Sequence, residues 1–206
     1  MSELGTSLTA PAGKRERTKA ANREAILAAA RTVFGELGYG AASVRDIIRR
    51  TDLAAGTFYN YFPDKASIFR ALVDEVGTEA RRRVRTARRN ASTPRAFVQD
   101  GYRAYFEYIV EDPADHAFIA RNAGTIRTLF DDGQIPLGTD ELAEDLRAAI
   151  TAGHLPSVDV EYTAHVMMAV GLELGLRLLE RDPPDVDGAT RFAADLFLGG
   201  LAGVSR

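Results

Sequence analysis

Residues 54–69, AAGTFYNYFPDKASIF, combine five aromatic rings with hydroxyl, amide and ammonium groups. A buried hydroxyl or amide needs a hydrogen-bond partner, so a purely structural cluster would place apolar residues at Tyr59, Asn60 and Tyr61. These groups can instead donate hydrogen bonds to a partner outside the chain. The composition therefore predicts that this segment contacts something polar.

Residue patterns typical of catalysis or metal binding are missing from the sequence. Glu161 and His165 have the spacing of two ligands on one helix, but no third ligand is in sight. His116 and His154 stand alone, and no HExxH, P-loop or GxSxG motif occurs. The chain also lacks cysteine, which excludes thiolate metal sites and cysteine nucleophiles. The sequence thus predicts no catalytic residue, no metal site and no cofactor.

Charge is distributed unevenly along the 206 residues, although the net charge is only -3. Residues 1–90 hold 17 Lys and Arg against 10 Asp and Glu, and the remainder holds 9 against 19. Such opposed halves indicate that the first meets a polyanion while the second stays away from it.

Nothing in the sequence predicts export or membrane insertion. Residues 1–13 lack an apolar run, so we expect a disordered tail rather than a signal peptide. The apolar stretch HVMMAVGLELGL is interrupted by Glu173 and is well short of the roughly 18 residues that a membrane span needs. Together with the absence of cysteine, this predicts a cytoplasmic protein without a membrane partner.

The spacing of apolar residues predicts an all-α protein. A first helical face ends at Gly38, and Ser43 with Asp46 forms a capping-box-like start of a second, short helix. After a turn of about four residues, a third helix covers residues 54–61. Two short helices joined by a tight turn and packed on a longer one make a helix-turn-helix.

The rest of the chain is predicted to form further helices, without strand-like alternation. Pro63 ends the third helix, and Asp64 caps a fourth that reaches about Arg89. The remaining helices are expected at residues 94–110, 113–130, 140–152, 160–181 and 188–203.

The segment SVRDIIRRTDLAAGTFYNYFPDKASIF resembles the N-terminal signature of TetR-type transcriptional repressors. The positions that match the family pattern are Thr57, Phe58, Tyr59, Phe62 and Lys65. The resemblance implies a disordered tail of residues 1–13, a helix-turn-helix DNA-binding domain of residues 14–62, a connecting helix of residues 63–90, and a ligand-binding and dimerisation domain of residues 91–206. In the last region the resemblance is architectural only.

The resemblance also implies where DNA is bound. The exposed face of the third helix would enter the major groove, and the second and fourth helices would contact phosphates or bases at their starts. The predicted DNA-binding residues are Ser43, Arg45, Ala55, Gly56, Thr57, Tyr59, Asn60, Tyr61 and Lys65. The rings of Phe58, Phe62 and Phe69 are expected in the core.

The alternative for these residues is an ordinary solvated surface, with Tyr59 covering the edge of the core and Arg45 paired with Asp46 or Glu36. The sequence departs from the family pattern at Asp52, where glycine is usual, at Ala54, where serine is common, and at Ala55, where Lys or Arg is frequent. The third helix therefore loses a side-chain cap, and base recognition would depend on Thr57, Tyr59 and Arg45.

Two basic runs lie outside that motif. The residues Lys14, Arg15, Arg17 and Lys19 could form an arm that touches phosphates, or a solvated lead-in. The run RRRVRTARR (residues 81–89) ends roughly 36 Å along the fourth helix from Lys65, at about 1.5 Å per residue. We therefore expect it to face the acidic second half of the molecule rather than DNA.

Helices five and six are rich in aromatic residues with a few polar ones between them, as in a small-molecule site. The predicted ligand-binding residues are Tyr102, Tyr105, Phe106, Phe118, Arg121, Asn122 and Met168. The alternative at each position is plain core. The DELAEDLR segment is similar to that of family members that answer to acyl compounds, which hints at an acyl-type ligand.

The last two predicted helices contain small residues that allow close helix packing, namely Ala164, Ala169, Gly171, Gly175, Ala193, Ala194, Gly199 and Gly200. Leu172, Leu196 and Leu198 would then be exposed and need a partner. By family analogy this surface pairs two chains into a homodimer, with two recognition helices at neighbouring major grooves.

Taken together, the resemblance implies a ligand-responsive repressor. A homodimer would bind a palindromic double-stranded DNA operator and be released by a small lipophilic effector. An activator of the same fold, a helical enzyme and a helical adaptor are the alternatives.

Overall fold

The computed structural model describes residues 13–204, and side chains up to residue 200. Within that range the chain forms nine α-helices and no strand, as the apolar spacing predicts. The predicted tail lies outside the described residues except for Gly13, which precedes the first helix. The helices are α1 (Lys14–Ala41), α2 (Val44–Ile48), α3 (Ala55–Tyr59), α4 (Lys65–Arg89), α5 (Pro94–Glu111), α6 (Pro113–Asp131), α7 (Thr139–Thr151), α8 (Val160–Leu179) and α9 (Val186–Val204).

Helix α1 packs on α6 and breaks near its end at the predicted glycine. Its buried residues Ile26, Val33 and Phe34 lie on one helical face. Gly38 has φ = 78°, a left-handed conformation that glycine adopts readily. The predicted stop at this glycine is therefore confirmed as a break, after which the helix resumes briefly to Ala41.

Helices α2 and α3 form the predicted helix-turn-helix. The Ser43 hydroxyl accepts a hydrogen bond from the Asp46 N–H, and the Asp46 carboxylate accepts one from the Ser43 N–H, so the capping box is confirmed. Helix α3 begins after Ala54 without a side-chain cap. Phe58 and Phe62 are buried, as expected.

Helix α4 connects the helix-turn-helix to the rest of the molecule. Asp64 caps its first turn, and it extends to Arg89 as predicted. The ring of Phe69 lies 5.2 Å from Phe34 of α1 and 5.4 Å from Phe118 of α6, between centroids. One aromatic cluster therefore joins α1, α4 and α6.

The arginine run at the end of α4 faces acidic side chains, as predicted. Arg85 pairs with Glu144 of α7 at 2.8 Å, and Arg83 pairs with Glu111 of α5. The positive charge of this run is thus largely compensated within the molecule.

Helix α5 packs between α4 and α9, while α8 and α9 turn an apolar face outward. The large apolar residues exposed on that face are Tyr162, Val166, Phe192 and Leu196. Of the three leucines predicted to be exposed, Leu196 is exposed, and Leu172 and Leu198 are half-buried. Within residues 13–204, no helix is long and apolar enough to cross a bilayer.

Candidate DNA-binding surface and ligand cavity

Helix α3 presents a polar face to solvent. The exposed residues of this face are Ala55, Gly56, Tyr59 and Asn60, and Thr57 is half-buried. The ring of Tyr59 packs edge-on against buried Phe58 at 5.5 Å between centroids, yet Tyr59 stays 53% exposed. No protein atom lies within 4 Å of where a Cβ at Gly56 would be. The helix can thus approach a groove closely and offer it a hydroxyl and an amide.

Ser43 and Arg45 are exposed at the start of α2. The Ser43 hydroxyl and N–H bind the Asp46 carboxylate and hold the pKa of that carboxyl below its usual value. Glu36 pairs with Arg50, so the alternative pairing of Arg45 with Glu36 is not observed. No ion pair joins Arg45 to another described residue, which leaves its guanidinium available to a phosphate.

Lys65 and Tyr61 have partners inside the protein. The Lys65 ammonium donates to the carbonyl oxygens of Tyr39 and Ala42 at 2.7 and 2.8 Å, and lies 4.4 Å from the centre of the Tyr39 ring. The Tyr61 hydroxyl accepts a hydrogen bond from the Asn22 amide at 3.2 Å. Lys65 thus closes the end of α1 and keeps one N–H for a further acceptor, so its contact with DNA stays a prediction.

The predicted basic arm forms the start of α1. Its side chains, those of Lys14, Arg15, Arg17 and Lys19, are exposed on the first turns of the helix. The charge run is therefore helical, and its contact with phosphates stays a prediction.

A cavity of about 160 Å³ lies between α4, α5, α6, α7 and α8. Its wall is mainly apolar, as is typical of a small-molecule site. Four predicted ligand-binding residues line it: Tyr102, Tyr105, Phe118 and Met168. Burial raises the pKa of Tyr105 to about 12, so its hydroxyl stays protonated and can donate a hydrogen bond to a ligand.

Three predicted ligand-binding residues lie outside the cavity. Phe106 is fully buried in the core, with its ring stacked on Tyr102 at 5.8 Å. The Asn122 amide is occupied by three hydrogen bonds to backbone groups of α1 and α6. Arg121 is exposed, and its side chain passes beside Gly38.

One part of the cavity is lined by arginines of α4. The lining of this part includes Arg81, Arg85 and Arg88, together with the carboxylates of Glu141 and Asp145 from α7. Burial raises the pKa of Asp145, and the neighbouring arginines oppose this effect. Burial lowers the pKa of Arg88 to about 10. The cavity therefore combines a long apolar wall with a cationic region.

Two of the three histidines have partners on the backbone. His116 Nε2 lies 3.0 Å from the Leu179 carbonyl oxygen, and His165 Nδ1 lies 2.8 Å from that of Glu161. Across the part of the chain that the structure describes, no three His, Asp or Glu side chains are grouped to hold a metal ion.

Residues 26–72 match the family described as bacterial regulatory proteins, tetR family. The match begins at Ile26 in α1, includes the helix-turn-helix and ends at Leu72 in α4. Residues 26–72 are thus a TetR-type helix-turn-helix region, while the rest of the chain lies outside the match. Regulators of that family are DNA-binding transcriptional regulators, and α2 and α3 lie within the matched residues.

Solved TetR-type structures share the fold over nearly the whole chain. A TetR-family transcriptional regulator from Syntrophomonas wolfei is 21% identical with a TM-score of 0.73, covering 90% of this chain and 96% of its own. FadR, a fatty acid degradation regulator of Bacillus halodurans, is 19% identical with a TM-score of 0.73 and coverages of 95% and 100%. FadR of Bacillus subtilis in complex with stearoyl-CoA is 19% identical with a TM-score of 0.70 and coverages of 86% and 98%.

The arginines in the cavity are not among the ligand-binding residues predicted from the sequence. The cavity-lining residues of α4 recur at steps of three and four, through Val73, Val76, Gly77, Ala80, Arg81, Val84, Arg85 and Arg88. They therefore form one stripe that is apolar at its start and cationic towards its end. Continuing the apolar face of α4 past Val76 with the same spacing would have led to Arg88.

Proposed function

We propose that this protein is a ligand-responsive transcriptional repressor of the TetR family, whose homodimer binds a palindromic operator and is released by a small lipophilic effector of acyl type. The observation that carries the proposal is the position of α4. Its stripe from Val73 to Arg88 lines the cavity, while Phe69 and Lys65 at its start hold it to α1 of the DNA-binding domain. Cavity and DNA-binding surface therefore share one helix.

An acyl-type effector fits the apolar wall of the cavity. The side chains of Val76, Ile109, Phe118, Ile119 and Met168 offer a chain-like ligand contact without polar groups. A neighbour in fold, FadR of Bacillus subtilis, was solved with stearoyl-CoA, which supports a ligand that carries a long hydrocarbon chain.

Release of the operator on ligand binding would follow from the small size of the cavity. Small-molecule sites usually enclose about 300–1,000 Å³, and this cavity has about 160 Å³. A long-chain ligand would thus bind better to a conformation in which α4 has moved away from its neighbours. Through Phe69 and Lys65 that movement would shift the helix-turn-helix, so ligand and operator would compete energetically.

The homodimer would form through α8 and α9. Their exposed residues Tyr162, Val166, Phe192 and Leu196 would be covered by a second copy. In this proposal residues 14–62 bind DNA, and residues 91–206 bind the ligand and the partner chain. Residues 63–90 form the helix that connects these two domains.

The proposal is tested by a gel shift on DNA from the protein's own locus, at several stated salt concentrations. We expect binding that weakens steeply with salt and is reversed by an acyl compound, either dodecanoate or dodecanoyl-coenzyme A. Replacing Tyr59 with alanine should weaken binding about tenfold or more, since a base or phosphate contact is lost.

Arg82→Ala is the matched control, because Arg82 is exposed on the compensated arginine run and pairs with Glu79. It should leave DNA affinity unchanged. Equal loss in both variants, or no DNA binding by the wild type, would contradict the proposal.

A further inference from the structure

The guanidinium of Arg88 lines the ligand cavity and lacks an acceptor. Its Nε is buried without a hydrogen-bond partner. Among the residues that the structure describes, no carboxylate lies within 4.0 Å of this guanidinium, and the ring of Phe97, 5.8 Å away, is its cation–π contact. A buried guanidinium N–H without an acceptor is costly, so its persistence in this half-buried side chain indicates an acceptor that arrives with a ligand.

The nearby carboxylates are already engaged by other arginines. Asp145 lies 3.4 Å from Arg85 and 3.6 Å from Arg89, and Glu144 lies 2.8 Å from Arg85. Three guanidinium groups thus face two carboxylates at this end of the cavity. Arg88 interacts electrostatically with Asp145 but has no ion pair of its own, so it is the guanidinium of this group that is left with unused hydrogen-bond donors.

The backbone of α5 makes room for the Arg88 side chain. A Cβ added at Gly101 would lie 2.9 Å from Nε and 3.3 Å from Cγ of Arg88. The missing side chain of Gly101 therefore allows the guanidinium stem to lie flat against α5. Arg88 is held beside the cavity by packing instead of by a salt bridge.

The remaining wall is suited to a hydrocarbon chain. From Val73 to Arg88 the stripe of α4 extends roughly 22 Å, at about 1.5 Å per residue. The lining near the start of this path is apolar, with Val76, Ile109 and Phe118 among its residues, and the arginines follow towards its end. An occupant that uses both features has one apolar tail and one anionic end.

Building on the proposed function, we infer that the effector is a fatty carboxylate whose head group pairs with Arg88. The planar guanidinium offers parallel N–H donors that match the two oxygens of a carboxylate. A neutral alcohol or ester would leave the charge of Arg88 unpaired. The coenzyme A thioester has no anion next to its acyl chain and would leave it unpaired as well.

The test measures binding of dodecanoate, dodecan-1-ol and dodecanoyl-coenzyme A to the full chain by calorimetry. Dodecanoate should bind more tightly than the alcohol. Arg88→Met keeps the unbranched stem as far as the position of Nε and removes the charged end, so it should weaken dodecanoate binding about tenfold or more, since a charge-assisted hydrogen bond is lost. Its affinity for the alcohol should be unchanged or increased.

Thermal unfolding separates this role from a structural one. Because Arg88→Met removes an uncompensated cation, the ligand-free variant should melt at or above the temperature of the wild type. Arg82→Met, on the exposed side of the same helix, should change neither dodecanoate binding nor its selectivity over the alcohol. A lower melting temperature of Arg88→Met with unchanged dodecanoate affinity would overturn the inference.

The inference and the proposed function fail in different ways. If dodecanoyl-coenzyme A binds and causes the protein to release DNA while dodecanoate does not bind, the carboxylate assignment is wrong and the proposed repressor function is retained. If the chain binds dodecanoate through Arg88 but never binds DNA, the proposed repressor function is wrong and the carboxylate site at Arg88 is retained. Equal affinity of the wild type for dodecanoate and dodecan-1-ol also overturns the carboxylate assignment.

Discussion

Asn122 joins α6 to the end of α1 through one buried amide. Its Oδ1 accepts a hydrogen bond from the Tyr39 N–H at 2.7 Å, and its Nδ2 donates to the carbonyl oxygens of Phe34 and Phe118 at 2.9 and 2.8 Å. Phe118 also lines the cavity. Asn122 therefore helps to join α1 to the cavity wall, although it neither lines the cavity nor lies on the exposed face of α3.

Replacing Asn122 with leucine, which is similar in size, should destabilise the protein by about 2–4 kcal/mol, because the buried N–H of Tyr39 and two carbonyl groups lose their partner. Urea unfolding measures this change. Asn60→Ala, on the exposed face of α3, is the control and should alter stability by less than about 0.5 kcal/mol. An unchanged unfolding midpoint of Asn122→Leu would show that the amide does not hold the domains together.

The helices of this protein could be predicted because their ends are marked by local chemistry. Ser43 with Asp46, Asp64 and Gly38 form caps or breaks that depend on residues close in sequence. The aromatic residues of the core were also predictable, since Phe58 lies opposite the polar face of a short helix.

The lining of the cavity could not be predicted in the same way. Tyr105 and Phe106 are neighbours of similar size, yet Tyr105 lines the cavity and Phe106 is enclosed in the core. The difference is a rotation of about 100° around α5, and its outcome depends on how α5 packs between α4 and α9. Asn122 was misplaced for the same reason, because its partners lie far away in sequence.

Within α4, Glu79 links two neighbouring arginines. Hydrogen bonds from Arg82 and Arg83 lower the pKa of the Glu79 carboxyl from 4.5 to about 2. A carboxyl whose pKa is lowered by folding stabilises the protein above its unfolded pKa, and this contribution is lost as the pH falls through the folded pKa.

We therefore expect the stability advantage of the wild type over Glu79→Gln to be largest above about pH 4.5 and to shrink towards pH 2. The advantage should be small throughout, because the pair lies near the surface. Urea midpoints of both proteins over this pH range provide the measurement. An advantage that grows as the pH falls would have the opposite sign and exclude this assignment.

At the scale of the whole molecule, the positive charge near the helix-turn-helix and the exposed apolar face of α8 and α9 lie on different parts of the chain. Glu111, Glu144 and Asp145 form ion pairs with Arg83 and Arg85 of the arginine run, whereas Arg88 in the cavity and Arg45 of the helix-turn-helix have no ion pair among the described residues. The exposed apolar face of α8 and α9 is formed at the C-terminal end of the chain. The two surfaces can therefore be altered independently.

Leu196→Glu places a charge in the middle of the proposed dimer contact and should give a monomer at micromolar concentration, since a charge buried among apolar groups is costly. Sedimentation velocity measures the change. Leu37→Glu introduces the same charge at an exposed leucine of α1 and should leave the oligomeric state as it is. A wild type that sediments as a monomer would rule out the homodimer.

The uncapped start of α3 has a thermodynamic consequence for a two-fold assembly. The recognition helix has only five residues and is held by the burial of Phe58 and the adjacent Phe62, while its first turn lacks a side-chain cap. Fixing that first turn on a duplex carries an entropic cost, and a symmetric pair carries that cost twice. A hydroxyl at Ala54 would contribute about 0.5–2 kcal/mol of helix stability in each subunit. In the proposed operator complex, affinity would thus be tuned by preorganisation alone, with every base contact left as it is.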